Sequence, residues 1–191
     1  EMQVNAKVIR YIDIPFQHAD DKILKLMNRR YTKEEYLKLY NSIREKVKDV
    51  SITTDIIVGF PNETEEDFEE TLSNLKKSGL IKIHTFPYSK RKNTVAASME
   101  NQVSDAEKNR RADIIKELSN EKYSEFLKKN KGKILNVMIE KKRDKTTGFL
   151  KGVSENYIPI LINSKDESLK NTIQKVIIQD TDKYVLGTIF Q

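Results

Sequence analysis

The chain has 191 residues, with 35 Lys and Arg against 29 Asp and Glu, a net charge of +6, and no cysteine or tryptophan. Without cysteine it contains no disulfide, no cysteine nucleophile and no thiolate-held zinc or iron–sulfur site, and gives no reason to place it in an oxidising compartment. No apolar run approaches the roughly 18 residues of a membrane span, and no charged-then-apolar leader follows Glu1, so the expectation is a cytoplasmic chain with no membrane partner.

A first residue other than Met points to a fragment or a processed chain. Val8 to Phe16 reads as a strand closed by Pro15. Asp20 or Asp21 can cap a short helix in which Ile23, Leu24 and Met27 share a face. Thr32 and Glu35 form a capping box, followed at helical spacing by Tyr36, Leu39, Tyr40, Ile43 and Val47. Ser51 to Phe60 is a second strand, apolar enough for both faces to be covered. Thr64 caps a third helix with acidic residues in its first turn and Phe68, Leu72 and Leu75 as its buried stripe. Gly79 stands where a helix C-terminal cap belongs, and Leu80 to Tyr88 is the third strand.

Strand–helix alternation of this kind predicts parallel strands, with ligands at their C-terminal ends. Those ends carry Gln17 and His18, then Gly59, Phe60 and Glu63, then Tyr88 and Ser89. Gln17 and His18 either face a ligand or make strand-end hydrogen bonds. Asp55, in an apolar strand, either pairs structurally or faces the interior of a barrel. Gly59 allows close backbone approach to a flat ligand or simply makes a tight turn. Glu63 touches ligand or serves the helix N-terminus, and Tyr88 stacks on a nucleoside or packs at a rim. Arg29 and Arg30 suit a carboxylate or phosphate as well as a solvated helix end.

Lys90 to Val103 reads as a loop. Ser104 and Glu107 form another capping box that opens a helix to about Lys131, buried along Ile114, Ile115, Leu118, Tyr123, Phe126 and Leu127. Beyond Gly132 the pattern alternates as strands at Ile134–Glu140, Gly148–Val153, Tyr157–Ile162, Thr172–Ile178 and Tyr184–Phe190, which predicts a small β-barrel. The expected division is 1–103 for the α/β part, 104–131 for a connecting helix and 132–191 for the barrel. In the tail, Lys141, Lys142, Arg143, Lys145, Lys151, Asn156 and Tyr157 combine charge with an aromatic ring, a surface suited to RNA or to plain solubility.

Three ordered motifs resemble one family. They are Tyr11-Ile12-Asp13-Ile14-Pro15-Phe16-Gln17-His18 with Lys25 to Thr32, then Thr53 to Phe68 around Gly59-Phe60-Pro61-Asn62-Glu63, then His84-Thr85-Phe86-Pro87-Tyr88-Ser89-Lys90-Arg91-Lys92-Asn93-Thr94. Together they resemble the methylthiotransferases of the radical S-adenosylmethionine (SAM) superfamily. The resemblance implies the second half of a radical SAM TIM-like partial barrel followed by a TRAM, OB-like β-barrel. It implies SAM as cofactor, held by Gln17, His18, Asp55, Gly59, Phe60, Glu63, Tyr88 and Ser89. It also implies two 4Fe-4S clusters in the full-length enzyme, none ligated by this chain, whose N-terminal domains are missing. The chain alone is therefore expected to be inactive and to contain no catalytic residue.

The third motif and Ser154-Glu155-Asn156-Tyr157-Ile158-Pro159 resemble enzymes acting on N6-threonylcarbamoyladenosine at position 37 of tRNA. The first strand resembles the branch that modifies an aspartate of a small-subunit ribosomal protein. A non-catalytic RNA-binding module is a further alternative. Asn62 and Asn93 stand where the family commonly has Gly, and Val95 where Pro is common. Open strand edges of a half-barrel also predict self-association or coverage by another segment.

Overall fold

The computed structural model describes residues 10–181 and 184–190. Val8 and Ile9, expected in the first strand, and Asp182 and Lys183, expected in a turn, lie outside them. The chain divides into two compact units: 12–46 with 52–122, and 1–11 with 47–51 and 123–191. This differs from the expected division. The long helix is shared at Lys122 and Tyr123 and is not a separate connector, and two short segments from the first half group with the tail.

The α/β unit is built on a three-stranded sheet in the order β1 (Tyr11–Asp13), β2 (Ser51–Val58) and β3 (Lys82–Pro87). Strands β2 and β3 are parallel, in register from Thr53↔Lys82 to Val58↔Pro87. Helices α1 (Asp21–Leu26) and α2 (Lys33–Lys46) connect β1 to β2, and α3 (Glu65–Lys77) connects β2 to β3. The short α4 (Val95–Ser98) lies in the segment expected to be loop, and α5 (Asp105–Asn130) follows.

Local chemistry sets these boundaries. Asp20 caps α1 by accepting from the Ile23 amide. Thr32 and Glu35 exchange hydrogen bonds at the start of α2, and Thr64 and Asp67 do so at α3. Helix α5 has only half of its expected box: Ser104 Oγ accepts from the Glu107 amide, while the Glu107 carboxylate turns to Arg110 and Arg111. Gly79 follows the Ser78 cap without a positive φ. Its place is fixed by Arg44, whose guanidinium donates to the Gly79 carbonyl and fills the space a Cβ would need. The expected glycines do find substitutes: Asn62 and Asn93 hold φ of +69° and +65°, the left-handed region that Asn tolerates best after Gly.

One face of β2 is covered along its length; on the other, Asp55 and Ile57 are only partly buried, short of the two-sided coverage expected. Ile52, Ile56 and Val58 are fully buried, together with Phe68 and Leu75 of α3 and Ile115 of α5. The buried Thr54 hydroxyl donates to the Ile14 carbonyl and accepts from the Phe16 amide and Tyr36 hydroxyl. Leu39, placed at helical spacing with Tyr36 and Tyr40, is 50% exposed; Tyr36 and Tyr40 are the buried residues of α2.

The second unit contains a closed barrel in the order β4 (Ile134–Arg143), β5 (Leu150–Ser154), β6 (Pro159–Ile162), β8 (Leu186–Ile189) and β7 (Ile173–Asp180). Its neighbours are antiparallel except β6 and β8. Alternation gives the core: Leu135, Val137, Ile139, Leu150, Ile160, Ile162, Val176 and Ile178 point inward.

At Gly152 a Cβ would lie 2.5 Å from Val137 Cγ1 and 2.9 Å from the Met138 carbonyl oxygen. Gly152→Ala is therefore expected to overpack the β4–β5 contact and cost about 1–3 kcal/mol, read as a lower urea midpoint; an unchanged midpoint would show that the strands can separate freely there.

Candidate functional site

A cavity of about 710 Å³ opens at the C-terminal ends of the three strands, within the α/β unit. Gln17, Asp55, Phe60, Tyr88 and Ser89, five of the eight expected cofactor contacts, line it. After Pro15 the chain pairs again with β2: the Gln17 amide donates to the Asp55 carbonyl, and the Ile57 amide donates to the Gln17 carbonyl, both at 2.8 Å. Gln17 has φ +68°, and its Oε1 accepts from Arg29 Nη2 at 3.0 Å. Phe60 and Tyr88 meet edge to face at 5.2 Å. The buried Tyr88 hydroxyl has no hydrogen-bond partner among the described residues.

His18, Gly59 and Glu63 lie behind this surface. Gly59, at φ +71°, passes over Lys108, whose Cγ would be 2.3 Å from any Cβ. Close packing against the protein's own helix, as well as the turn, demands glycine here. Glu63 is 4% exposed. Its Oε2 accepts from the Phe60 amide at 2.9 Å and its Oε1 from Arg111 Nη1 at 3.0 Å. Arg111 also donates to the Glu63 carbonyl, Glu65 and Glu107. Hydrogen bonds from Arg110, joined by Arg111, pull the Glu107 carboxyl down to about 2.

His18 is fully buried. Its Nδ1 accepts from the Asp20 amide at 3.2 Å and lies 3.3 Å from Thr71 Oγ1. Its Nε2 lies 3.6 Å from Glu63 Oε2, beyond hydrogen-bond length. His18 and Glu63 shape the turn from within; neither lines the cavity.

Asp55 sits in the cavity wall with its carboxyl pushed upward, first by burial and then by the charge of Asp13, against the opposing pull of His84. Asp13 itself accepts from Thr53 Oγ1 at 2.7 Å. Sequence reading passed over Leu26, Met27, Phe86, Arg91, Val95 and Met99, which complete the wall. Their advance signals were position, at or next to strand and helix ends, and, for Leu26, Met27, Phe86 and Arg91, a place within the quoted motifs. Arg29, weighed as an anion contact, does reach the cavity.

The expected tail residues serve several purposes. Lys141, Lys142 and Lys145 are exposed around the β4–β5 turn. Arg143 instead clamps two loops, donating to Glu167 and to the carbonyls of Gly148 and Ser164. Lys151 pairs with Glu140 at 2.9 Å. Asn156 is buried, its amide donating to Asn130 Oδ1 and its oxygen accepting from Ser154. Tyr157 is half exposed with φ +67°, an unusual conformation for a bulky residue.

The donor set fits a nucleoside-containing ligand: an apolar slot, an edge-on aromatic pair, a carboxylate and an unpartnered buried hydroxyl. It does not fit an iron–sulfur cluster. The chain has no cysteine, and among the described residues no group of three His, Cys, Asp or Glu could hold a metal ion. Among those residues, too, no helix is long and apolar enough to cross a membrane.

Residues 3–75 match the radical SAM superfamily. The chain is 42% identical over 182 residues to the tRNA-2-methylthio-N(6)-dimethylallyladenosine synthase of Thermoanaerobacter sp. (strain X514), covering 94% of this chain and 38% of that protein. The proteins of the same name from Caldicellulosiruptor saccharolyticus and Lachnoclostridium phytofermentans are 39% and 35% identical, over 96% and 100% of this chain and 39% and 42% of their own lengths. The chain thus spans about two-fifths of these curated relatives.

Two variants test the geometry. Arg111→Met leaves the buried Glu63 carboxylate unpaired and is expected to cost about 3–5 kcal/mol, with Glu63→Gln restoring part of the loss in the double variant; additive losses would remove the coupling. For Asp55, whose ordinary value is 3.8, the folded state binds its proton more tightly than the unfolded chain. The carboxylate therefore costs stability as pH rises through the raised value, and keeps costing above it. Asp55→Asn is expected to raise the melting temperature at pH 7 and to lose that advantage at pH 3; a pH-independent difference would contradict this sign.

Proposed function

We propose that this chain is the later part of a radical SAM methylthiotransferase that adds a methylthio group to an adenosine of tRNA. The carrying observation is that similarity to proteins bearing that name runs through both units, over 94–100% of the chain. The cavity adds a site of the right chemistry at the strand ends. In this reading SAM's adenosyl part lies against Ile57, Phe60 and Tyr88, with Gln17, Asp55 and Ser89 as polar contacts.

When bound, SAM and the clusters of the complete enzyme supply the radical chemistry. This chain binds, orients and shields. It offers no cluster ligand, so the isolated chain is inactive. The barrel acts as a TRAM domain, with Lys141, Lys142, Lys145 and Tyr157 meeting RNA; Arg143, Lys151 and Asn156 support them from within the fold. The outer strands β1 and β3 present the edges that the rest of the polypeptide, or a second copy, would cover.

The N6 substituent of the target is part of the proposal. The threonylcarbamoyl group expected from the third motif carries a carboxylate, for which Arg29 and Arg91 in the cavity wall are suited partners. The larger share of that wall is apolar, through Leu26, Met27, Phe86, Val95 and Met99, and the relatives' names specify dimethylallyl. We favour the dimethylallyl group for these two reasons.

Mass spectrometry of tRNA nucleosides from a strain lacking the complete gene is expected to show loss of the 2-methylthio group, with N6-dimethylallyladenosine accumulating. Accumulation of N6-threonylcarbamoyladenosine would select the other substituent, and unchanged tRNA with an altered ribosomal protein would overturn the tRNA reading.

A further inference from the structure

A second cleft, of about 480 Å³, lies beside the main cavity. Both are lined by Pro87, Tyr88 and Ser89, so the end of β3 is the wall between them. The chemistry differs on the two sides. Apart from Pro87 and the Tyr88 ring, the second cleft is lined by Ser89, Lys90, Asp105, Lys108 and Asn109, all polar or charged.

Lys108 is held in place under Gly59, with its ammonium 5.6 Å from the Tyr88 ring centroid. Its ion-pair partner Asp105 is 95% exposed at 3.1 Å. A pair with one arm in solvent is weakly bound and can exchange partners. Lys90 is exposed, opens the Lys90-Arg91-Lys92 run and adds a second cation, while the exposed Asn109 amide adds neutral donors. Two ammonium groups, a hydroxyl and an amide against one solvated carboxylate make an anion-receptive cleft.

A nucleoside within RNA carries a phosphodiester on each side. An apolar slot cannot hold those charges without partners. We infer that the cleft lined by Lys90, Lys108 and Asn109 is a phosphodiester subsite, receiving the RNA backbone next to the target nucleoside, which would share the mouth of the main cavity with SAM. This assignment rests on the tRNA reading above. It gives Lys90 and Lys108 a task separate from that of the barrel lysines: they fix the strand's position at the cavity mouth.

The test is fluorescence anisotropy of the 191-residue chain with an RNA hairpin carrying an unpaired adenosine, titrated at several salt concentrations. Lys90→Gln is expected to weaken binding roughly five-fold, the scale of one solvent-exposed charge contact, and to reduce the salt slope by about 0.7. Asn109→Asp, a change between residues of similar helix propensity at an exposed position, is expected to weaken RNA binding by a like factor. Both variants should keep the wild-type melting temperature and affinity for S-adenosylhomocysteine. If both bind RNA as wild type does while Lys141→Gln and Lys142→Gln lower affinity and slope, the subsite is wrong and the tRNA reading stands. If the wild-type chain binds no hairpin, both fall.

Discussion

The buried carboxylate of Glu63 is the constraint on which the cavity-facing surface depends. It accepts from the Phe60 amide and from Arg111, and so ties the turn after β2 to the α5 helix. Breaking one side of such a pair leaves a charge stranded in a medium that cannot solvate it. The tie therefore resists local opening more than its two hydrogen bonds suggest. Phe60 is thereby aimed at the cavity, α3 starts where Thr64 can cap it, and Lys108 is brought under Gly59. His18 fills the remaining side, its Nδ1 fixed by the amide of Asp20, the residue whose carboxylate caps α1.

The parts of the fold that depend on local chemistry were legible from sequence. Capping pairs at Thr32 and Thr64, the apolar run of β2 and the alternation after Gly132 each encode their element within a few residues. What could not be read depends on long-range packing. Gly79 resembles a cap, yet its partner is Arg44, 35 residues earlier. Glu63 and His18 resemble ligand contacts because they sit at strand ends, but the partner that explains Glu63 is Arg111, 48 residues away. Arg143 and Asn156 show the same limit: a polar residue in a basic tail reads as surface until its internal partners are known. Asn62 and Asn93 are the reverse case, departures from a glycine pattern that preserve the backbone conformation.

In the proposed reading, the absence of cysteine and the presence of the cavity describe a division of labour within a larger polypeptide. Cluster ligands, which need thiolate sulfur, are not part of this chain. What this chain does offer is shape and charge: a largely apolar slot, a partly buried carboxyl at its wall and exposed lysines beyond it. Asp55 shows the cost of such a site, since its burial works against the stability of the unit that carries it.

The most direct measurement is backbone-amide NMR of the chain titrated with S-adenosylhomocysteine. Shift changes should concentrate at Gln17, Asp55 to Phe60, and Tyr88 and Ser89, and leave the barrel strands unperturbed. Saturable changes confined to the barrel, or none at ligand concentrations well above those that load a SAM site, would contradict the assignment of this cavity as part of the cofactor site.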